Sequence, residues 1–251
     1  MKSVLIVGYG VVGHNLEKDL SKLNPDIYDK FKTESNTKKE NFKYDFAFIC
    51  VDTPFNENGN CDITEVKNVI NENYADIYVI KSTILPNTTK ELVKNTGKNI
   101  VFSPEYYGGT QHCNNFDFNF TILGGDKSSC KKVIQLLQEV YDARHSFHIT
   151  DSTTAELAKY MENSYLATKV SFCVQFYEIA KKLGVNYEEL RELFLCDERI
   201  NKSHTFVYDD HPFWSSHCLN KDVPAIANFA DAPFLKSVIE FNDTQKNKYK
   251  N

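Results

Sequence analysis

The feature that most constrains this 251-residue chain is a glycine run near its start, Gly8-Tyr9-Gly10-Val11-Val12-Gly13. It has the spacing G-x-G-x-x-G. It closes an apolar run, Ser3-Val4-Leu5-Ile6-Val7, and opens a segment with helical character over roughly 11–22. Glycine in that position, between strand and helix, is the fingerprint of a dinucleotide-binding βαβ unit. Gly8 permits the tight turn, Gly10 lets a pyrophosphate approach the backbone, and Gly13 lets the helix pack on the strand. The helix then presents its first amides, from Val11 and Val12 onward, to the phosphates.

A second short strand is expected to end at Tyr28-Asp29. Asp29 lies at the distance from the glycines where a carboxylate accepts from the ribose 2′-hydroxyl. The same carboxylate repels a 2′-phosphate, which favours NAD over NADP, although Lys30 and Lys32 stand close by.

Further apolar runs follow at Phe46–Val51, Ile77–Ile80, Ile100–Phe102 and Phe120–Leu123, with candidate helices near 63–73 and 127–140. Runs apolar on both faces belong in a parallel sheet covered by helices on both sides. The expectation over about 1–150 is therefore an α/β, Rossmann-like, doubly wound parallel sheet. Lys30–Lys43 is polar and charged and reads as a solvated loop or short surface element. From Thr153 to Leu183 there is no Gly or Pro, and apolar residues recur at helical spacing. This reads as one long connecting helix, with Thr153 and Glu156 as a capping box and Gly184 as its stop. Shorter helices near 186–196, 222–230 and 232–248 complete a helical domain over 151–251, suited to dimerisation.

The net charge of −5 argues against a nucleic-acid partner. No apolar run reaches the ~20 residues that span a bilayer, and no cleavable leader is visible, so a cytoplasmic protein without a membrane partner is expected. The seven cysteines, Cys50, Cys61, Cys113, Cys130, Cys173, Cys196 and Cys218, are odd in number and contain no Cys-x-x-Cys pair. That argues against a disulfide framework and a structural zinc site, and no metal is expected.

Six short motifs then fall in order: Val51-Asp52-Thr53-Pro54; Lys81-Ser82-Thr83-Ile84-Leu85-Pro86-Asn87-Thr88-Thr89; Ser103-Pro104-Glu105-Tyr106; Ala155-Glu156-Leu157-Ala158-Lys159-Tyr160-Met161-Glu162-Asn163; Asp197-Glu198-Arg199-Ile200; and Cys218-Leu219-Asn220-Lys221-Asp222. Together they resemble the UDP-glucose/GDP-mannose dehydrogenase family across nearly the whole chain. The resemblance implies a four-electron oxidation of a nucleotide-sugar primary alcohol to a carboxylate, with two NAD reduced, as in polysaccharide biosynthesis.

In that chemistry Cys218 attacks the aldehyde to form a thiohemiacetal, which becomes a thioester and is hydrolysed. Lys159 and Asn163, spaced i,i+4, share a helix face and stabilise the oxyanion. Glu105 serves the hydrolysis, Thr83 lies near the same water, and Asp222 orients a base or water. The resemblance assigns Thr53, Pro54, Thr83 and Lys221 to the cofactor side. It assigns Glu105, Tyr106, Lys159, Asn163 and Arg199 to the substrate, with Arg199 reaching toward the partner in a homodimer formed through the long helix.

The sequence also departs from the family. No counterpart of the C-terminal domain that holds the nucleotide of the sugar is expected from these 251 residues. Only 15 residues separate Asp29 from Asp45, where the family has a longer insertion. Ser215-Ser216-His217 replaces the Gly-Gly-Ser turn before the cysteine, Val174-Gln175 an Asn-Glu pair, and Asn201 a glycine. Two other readings stay open: a two-domain hydroxyacid dehydrogenase, which shares the Lys/Asn pair but needs no thiol, and a non-catalytic NAD-binding remnant.

Overall fold

The computed structural model describes residues 2–56, 59, 61–106 and 118–249; Cys113 lies outside them. The chain divides into two compact units, Met1–Lys159 and Tyr160–Asn251.

The first unit is built on a seven-stranded sheet of order β2-β1-β3-β4-β5-β6-β7. The strands are β1 (Val4–Val7), β2 (Asp26–Tyr28), β3 (Lys43–Ile49), β4 (Tyr74–Ile80), β5 (Ile100–Phe102), β6 (Phe120–Gly125) and β7 (Ser146–Thr150). The first five are parallel. β6 pairs antiparallel with β5, and β7 runs parallel to β6, so the last two strands are reversed against the rest. The expected sheet is thus mostly, not wholly, parallel.

Among the described residues four α-helices belong wholly to this unit: α1 (Val11–Asp19), α2 (Thr64–Glu72), α3 (Thr88–Thr96) and α4 (Lys127–Leu137). They cover both faces of the sheet. Alternate residues of one strand point to opposite sides, and the core divides accordingly. Val4, Ile6, Phe46 and Phe48 pack with Leu16 of α1 and Val133 of α4. Leu5, Val7, Ala47 and Ile49 pack with Ile70 of α2 and Leu92 of α3. Each such buried Val, Leu, Ile or Phe contributes about 1.5–3 kcal/mol.

Helix α5 (Ser152–Leu183) begins in the first unit and continues in the second. Its N-terminus is not closed by the expected Thr153–Glu156 box. Asp151 accepts from Thr154 N–H at 3.2 Å and from the Thr154 hydroxyl at 2.5 Å. Glu156 is turned inward instead, where it serves α3: its carboxylate accepts from the N–H groups of Asn87 (2.7 Å) and Thr89 (2.8 Å).

The second unit adds α6 (Tyr187–Phe194), α7 (His217–Phe229) and α8 (Pro233–Lys248). Its core joins Ala167 of α5 to Trp214, to Leu219 and Val223 of α7, and to Val238 of α8. Helix α7 starts five residues before the expected 222, because Ser216 caps it by accepting from Leu219 N–H at 3.2 Å. That extension carries Cys218 onto the helix. Among the described residues no helix is long and apolar enough to cross a membrane.

Candidate active site

The dinucleotide loop begins at Gly8, where φ is +93° and a Cβ would stand 2.7 Å from the Cys50 carbonyl. Only glycine tolerates both constraints. At Gly13 a Cβ would lie 1.9 Å from the Gly8 carbonyl oxygen, which explains the close helix–strand contact. Gly10 differs: a Cβ there meets nothing within 4 Å. Its lack of a side chain serves open space in front of the helix rather than packing. The first hydrogen bond between Gly10 and α1 runs from His14 N–H to the Gly10 carbonyl at 3.0 Å, so the amides of Val11, Val12 and Gly13 precede it, as at any helix start. This cradle fits a pyrophosphate.

Asp29 closes the far side. One carboxylate oxygen accepts from Tyr9 N–H at 2.6 Å, and the other from Phe31 N–H (2.8 Å) and Lys32 N–H (2.9 Å). Burial pushes this carboxyl up, but the three amides outweigh it and hold it below the usual carboxylate range. Lys32 donates to the Tyr9 carbonyl at 2.7 Å. Tyr9 is therefore gripped at both backbone groups, and the Asp29 carboxylate is tied directly to the glycine loop. Lys30 turns away to Glu65.

The loops after β3 and β4 are stitched together. The buried Thr53 hydroxyl donates to the Thr83 carbonyl at 2.7 Å, and Cys61 Sγ lies 3.3 Å from the same oxygen. Ser82 donates to the Val51 carbonyl at 2.6 Å, and the Pro54 carbonyl accepts from Asp62 N–H at 2.8 Å. Beyond β5, Glu105 meets Lys81 at 3.2 Å, both side chains largely buried. Lys81 belongs to a quoted motif, but nothing in its spacing marked it as the partner of Glu105. The other Glu105 oxygen accepts from Tyr106 N–H at 2.7 Å, and the Lys159 ammonium stands 4.8 Å over the Tyr106 ring. Glu105, Tyr106 and Lys159 thus form one group, while Thr83 belongs to the neighbouring loop pair.

In the second unit Asp222 is almost wholly buried on α7 and holds two partners. Asn163 Nδ2 donates to one oxygen at 2.6 Å and Lys221 Nζ meets the other at 2.6 Å. Charged groups removed from water need such pairing. Lys221, assigned by resemblance to the cofactor side, places its ammonium against Asp222. Cys218 is exposed in the first turn of α7, one turn before Asp222, where a thiolate faces the positive end of the helix dipole. Arg199 is exposed and paired with Asp197. Among the described residues no cluster of His, Cys, Asp and Glu is arranged to hold a metal ion.

Residues 4–145 match the NAD-binding domain of the UDP-glucose/GDP-mannose dehydrogenase family, and residues 153–244 match its central domain. A UDP-glucose 6-dehydrogenase of Rickettsia felis is 29% identical over 96% of this chain, which covers 61% of that protein. A solved UDP-glucose dehydrogenase from Pyrobaculum islandicum superposes with a TM-score of 0.81 at 22% identity, over 97% of this chain and 68% of the other. A Mycobacterium tuberculosis 3-hydroxyisobutyrate dehydrogenase shares the fold at a TM-score of 0.72 and 16% identity, over 99% of this chain and 95% of the other. The chain spans about three-fifths of the curated relative's length.

Proposed function

The chain belongs to the UDP-glucose/GDP-mannose dehydrogenase family, and from that premise we propose that it oxidises the primary alcohol of a nucleotide sugar to the carboxylate in two NAD-dependent steps, in the manner of a UDP-glucose 6-dehydrogenase. The observation that carries this reading is the second-unit constellation: an exposed Cys218 at the start of α7, one turn from an Asp222 buried between Asn163 and Lys221. A hydroxyacid dehydrogenase has no use for a thiol at that place.

NAD, when bound, accepts a hydride from the substrate carbon in each step. Lys159 and Asn163, one turn apart on α5 and both buried, stabilise the alkoxide that forms as the hydroxyl proton leaves. One such donor is worth about 10²–10³-fold in rate. The Cys218 thiolate adds to the aldehyde carbon, and the resulting thiohemiacetal loses the second hydride to become a thioester. Water then adds to the thioester carbonyl, the C–S bond breaks, and the carboxylate leaves with the thiolate restored. Glu105 takes the proton of that water, Thr83 helps to place it, and Asp222 fixes Asn163. Thr53 and Pro54 shape the cofactor side of the loop, and Tyr106 and Arg199 serve the sugar.

The reading includes a cytoplasmic homodimer. Met161, Tyr165, Phe172, Phe176 and Leu183 stand exposed along α5 at spacings of 4, 7, 4 and 7 residues, which places them on one helix face. A second copy of the same helix covers such a stripe, with Arg199 turned toward the partner's site.

The test is NADH production with UDP-glucose, UDP-N-acetyl sugars, GDP-mannose and short hydroxyacids, in the wild type and in Cys218→Ser. The expected result is oxidation of a nucleotide sugar, lost in the variant while NAD binding persists. The fold shared with 3-hydroxyisobutyrate dehydrogenase makes a hydroxyacid the competing substrate. Its oxidation at full rate by Cys218→Ser overturns the proposal, and NAD binding without any oxidation points to a non-catalytic remnant.

A further inference from the structure

The turn that presents Cys218 is gripped from α8. Asn242 on that helix is 1% exposed, and its carboxamide meets both backbone polar groups of Trp214. Oδ1 accepts from Trp214 N–H at 2.9 Å, and Nδ2 donates to the Trp214 carbonyl at 3.0 Å. A primary amide is the uncharged side-chain group that donates and accepts side by side, as a neighbouring peptide does. The next two residues are tied as well. The Ser215 carbonyl accepts from Asn220 Nδ2 at 3.0 Å, and Ser216 Oγ accepts from Leu219 N–H. The indole of Trp214 is anchored separately, donating from Nε1 to Ser171 Oγ of α5 at 3.0 Å. The exposed His211–Ser215 contact at 2.6 Å is open to solvent; the buried Asn242 clamp is shielded from competition by water.

We propose that Asn242 is a positioning residue for Cys218, and this rests on the reading of Cys218 as the nucleophile. By fixing both peptide groups of Trp214, Asn242 sets where the first turn of α7 begins and thereby which way the thiol points. Ser215-Ser216-His217 contains no glycine, and the clamp imposes on it the approach to the helix. A shift of about 1 Å at a reacting group costs about 10²-fold in rate.

Iodoacetamide alkylation, read peptide by peptide, tests this, with the exposed Cys196 as internal reference. In Asn242→Ala the Cys218/Cys196 alkylation ratio is expected to fall about tenfold as the first turn frays. Its kcat should drop about 10²-fold with KM for NAD within about twofold. Asn242→Asp is the second arm. A carboxylate cannot donate to the Trp214 carbonyl, so the ratio is low at neutral pH. Protonation restores a donor beside an acceptor, and the ratio returns toward the wild-type value measured at the same acid pH. An unchanged ratio and kcat in Asn242→Ala overturn the proposal. So does Asn242→Asp without recovery in acid, or failure of both variants to fold, which assigns Asn242 to stability alone. If the wild type oxidises no nucleotide sugar, the functional reading fails while the alkylation ratio still decides the role of Asn242.

Discussion

Glu156 on α5 caps a helix that lies far earlier in sequence: its carboxylate accepts from the N–H of Thr89, 67 residues before it, at 2.8 Å in the first turn of α3. Asn87, at the N-terminal end of the same helix with φ of 76°, gives its N–H to the other oxygen at 2.7 Å. Glu156 thereby fixes the loop that carries Thr83 to the helix that carries Lys159.

Replacing Glu156 by Gln keeps the size but turns an NH₂ group toward a backbone N–H, leaving a buried donor without an acceptor. A loss of about 1–3 kcal/mol is expected in chemical denaturation. Burial raises the Glu156 carboxyl above its ordinary range despite the two amides. A raised folded-state pKa adds stability that is complete below the unfolded value and fades as pH rises through the folded value. The gap between wild type and Glu156→Gln should therefore be widest at the acid end and narrow with rising pH.

Gly10 and Gly13 separate cofactor space from packing. Gly13→Ala forces a Cβ to 1.9 Å from a backbone oxygen, so the first unit should lose about 3 kcal/mol or more. Gly10→Ala meets nothing and should melt within a few degrees of wild type, yet bind NAD at least about tenfold more weakly because the methyl group occupies the pyrophosphate's approach. Thermal melting beside calorimetric titration distinguishes the two. Equal loss of fold in both variants would refute this division.

Asp29→Asn should weaken NAD by about 10–100-fold, the worth of a charge-assisted hydrogen bond, and erase the preference over NADP. The amides of Tyr9, Phe31 and Lys32 hold the carboxyl low, so it stays ionised, and its contribution to NAD binding persists, until pH falls below the usual carboxylate range. Titration with both cofactors from neutral to acid pH checks this; tighter NADP binding by the wild type contradicts it.

The exposed stripe on α5 gives a prediction about assembly. The wild type is expected to be a dimer at micromolar concentration, and Met161→Glu combined with Phe176→Glu a monomer, because paired helices would have to bury four carboxylates. Light scattering decides, and a monomeric wild type ends this part of the proposal.

Much of the first unit was readable from its sequence because strands buried on both faces are apolar throughout, and β1, β5 and the second halves of β3 and β4 surface as continuous runs. Helix α3 was not: within Thr88–Thr96 only Leu92 and Val93 are apolar, and its cap arrives from a distant glutamate. Strand β7 reads Ser-Phe-His-Ile-Thr with mostly exposed side chains; its pairing with β6, not its pattern, makes it a strand. The reversal of β6 and β7 leaves no local trace, since direction is a property of the connections. Within the candidate site, glycine spacing announced the cofactor loop. The Lys81–Glu105 and Asn163–Asp222 pairs join residues 24 and 59 positions apart, and periodicity carries no information at that range.

Trp214 is the single tryptophan of the chain, and it lies in the second unit, its indole against Ser171 and beneath the Lys246 ammonium. Excitation at the red edge, where the fourteen tyrosines are silent, therefore illuminates one reporter, and that reporter sits four residues from Cys218. The first unit is dark in such an experiment. Any change in emission on adding NAD is then a direct optical record of how far cofactor binding is felt outside the sheet domain that receives it.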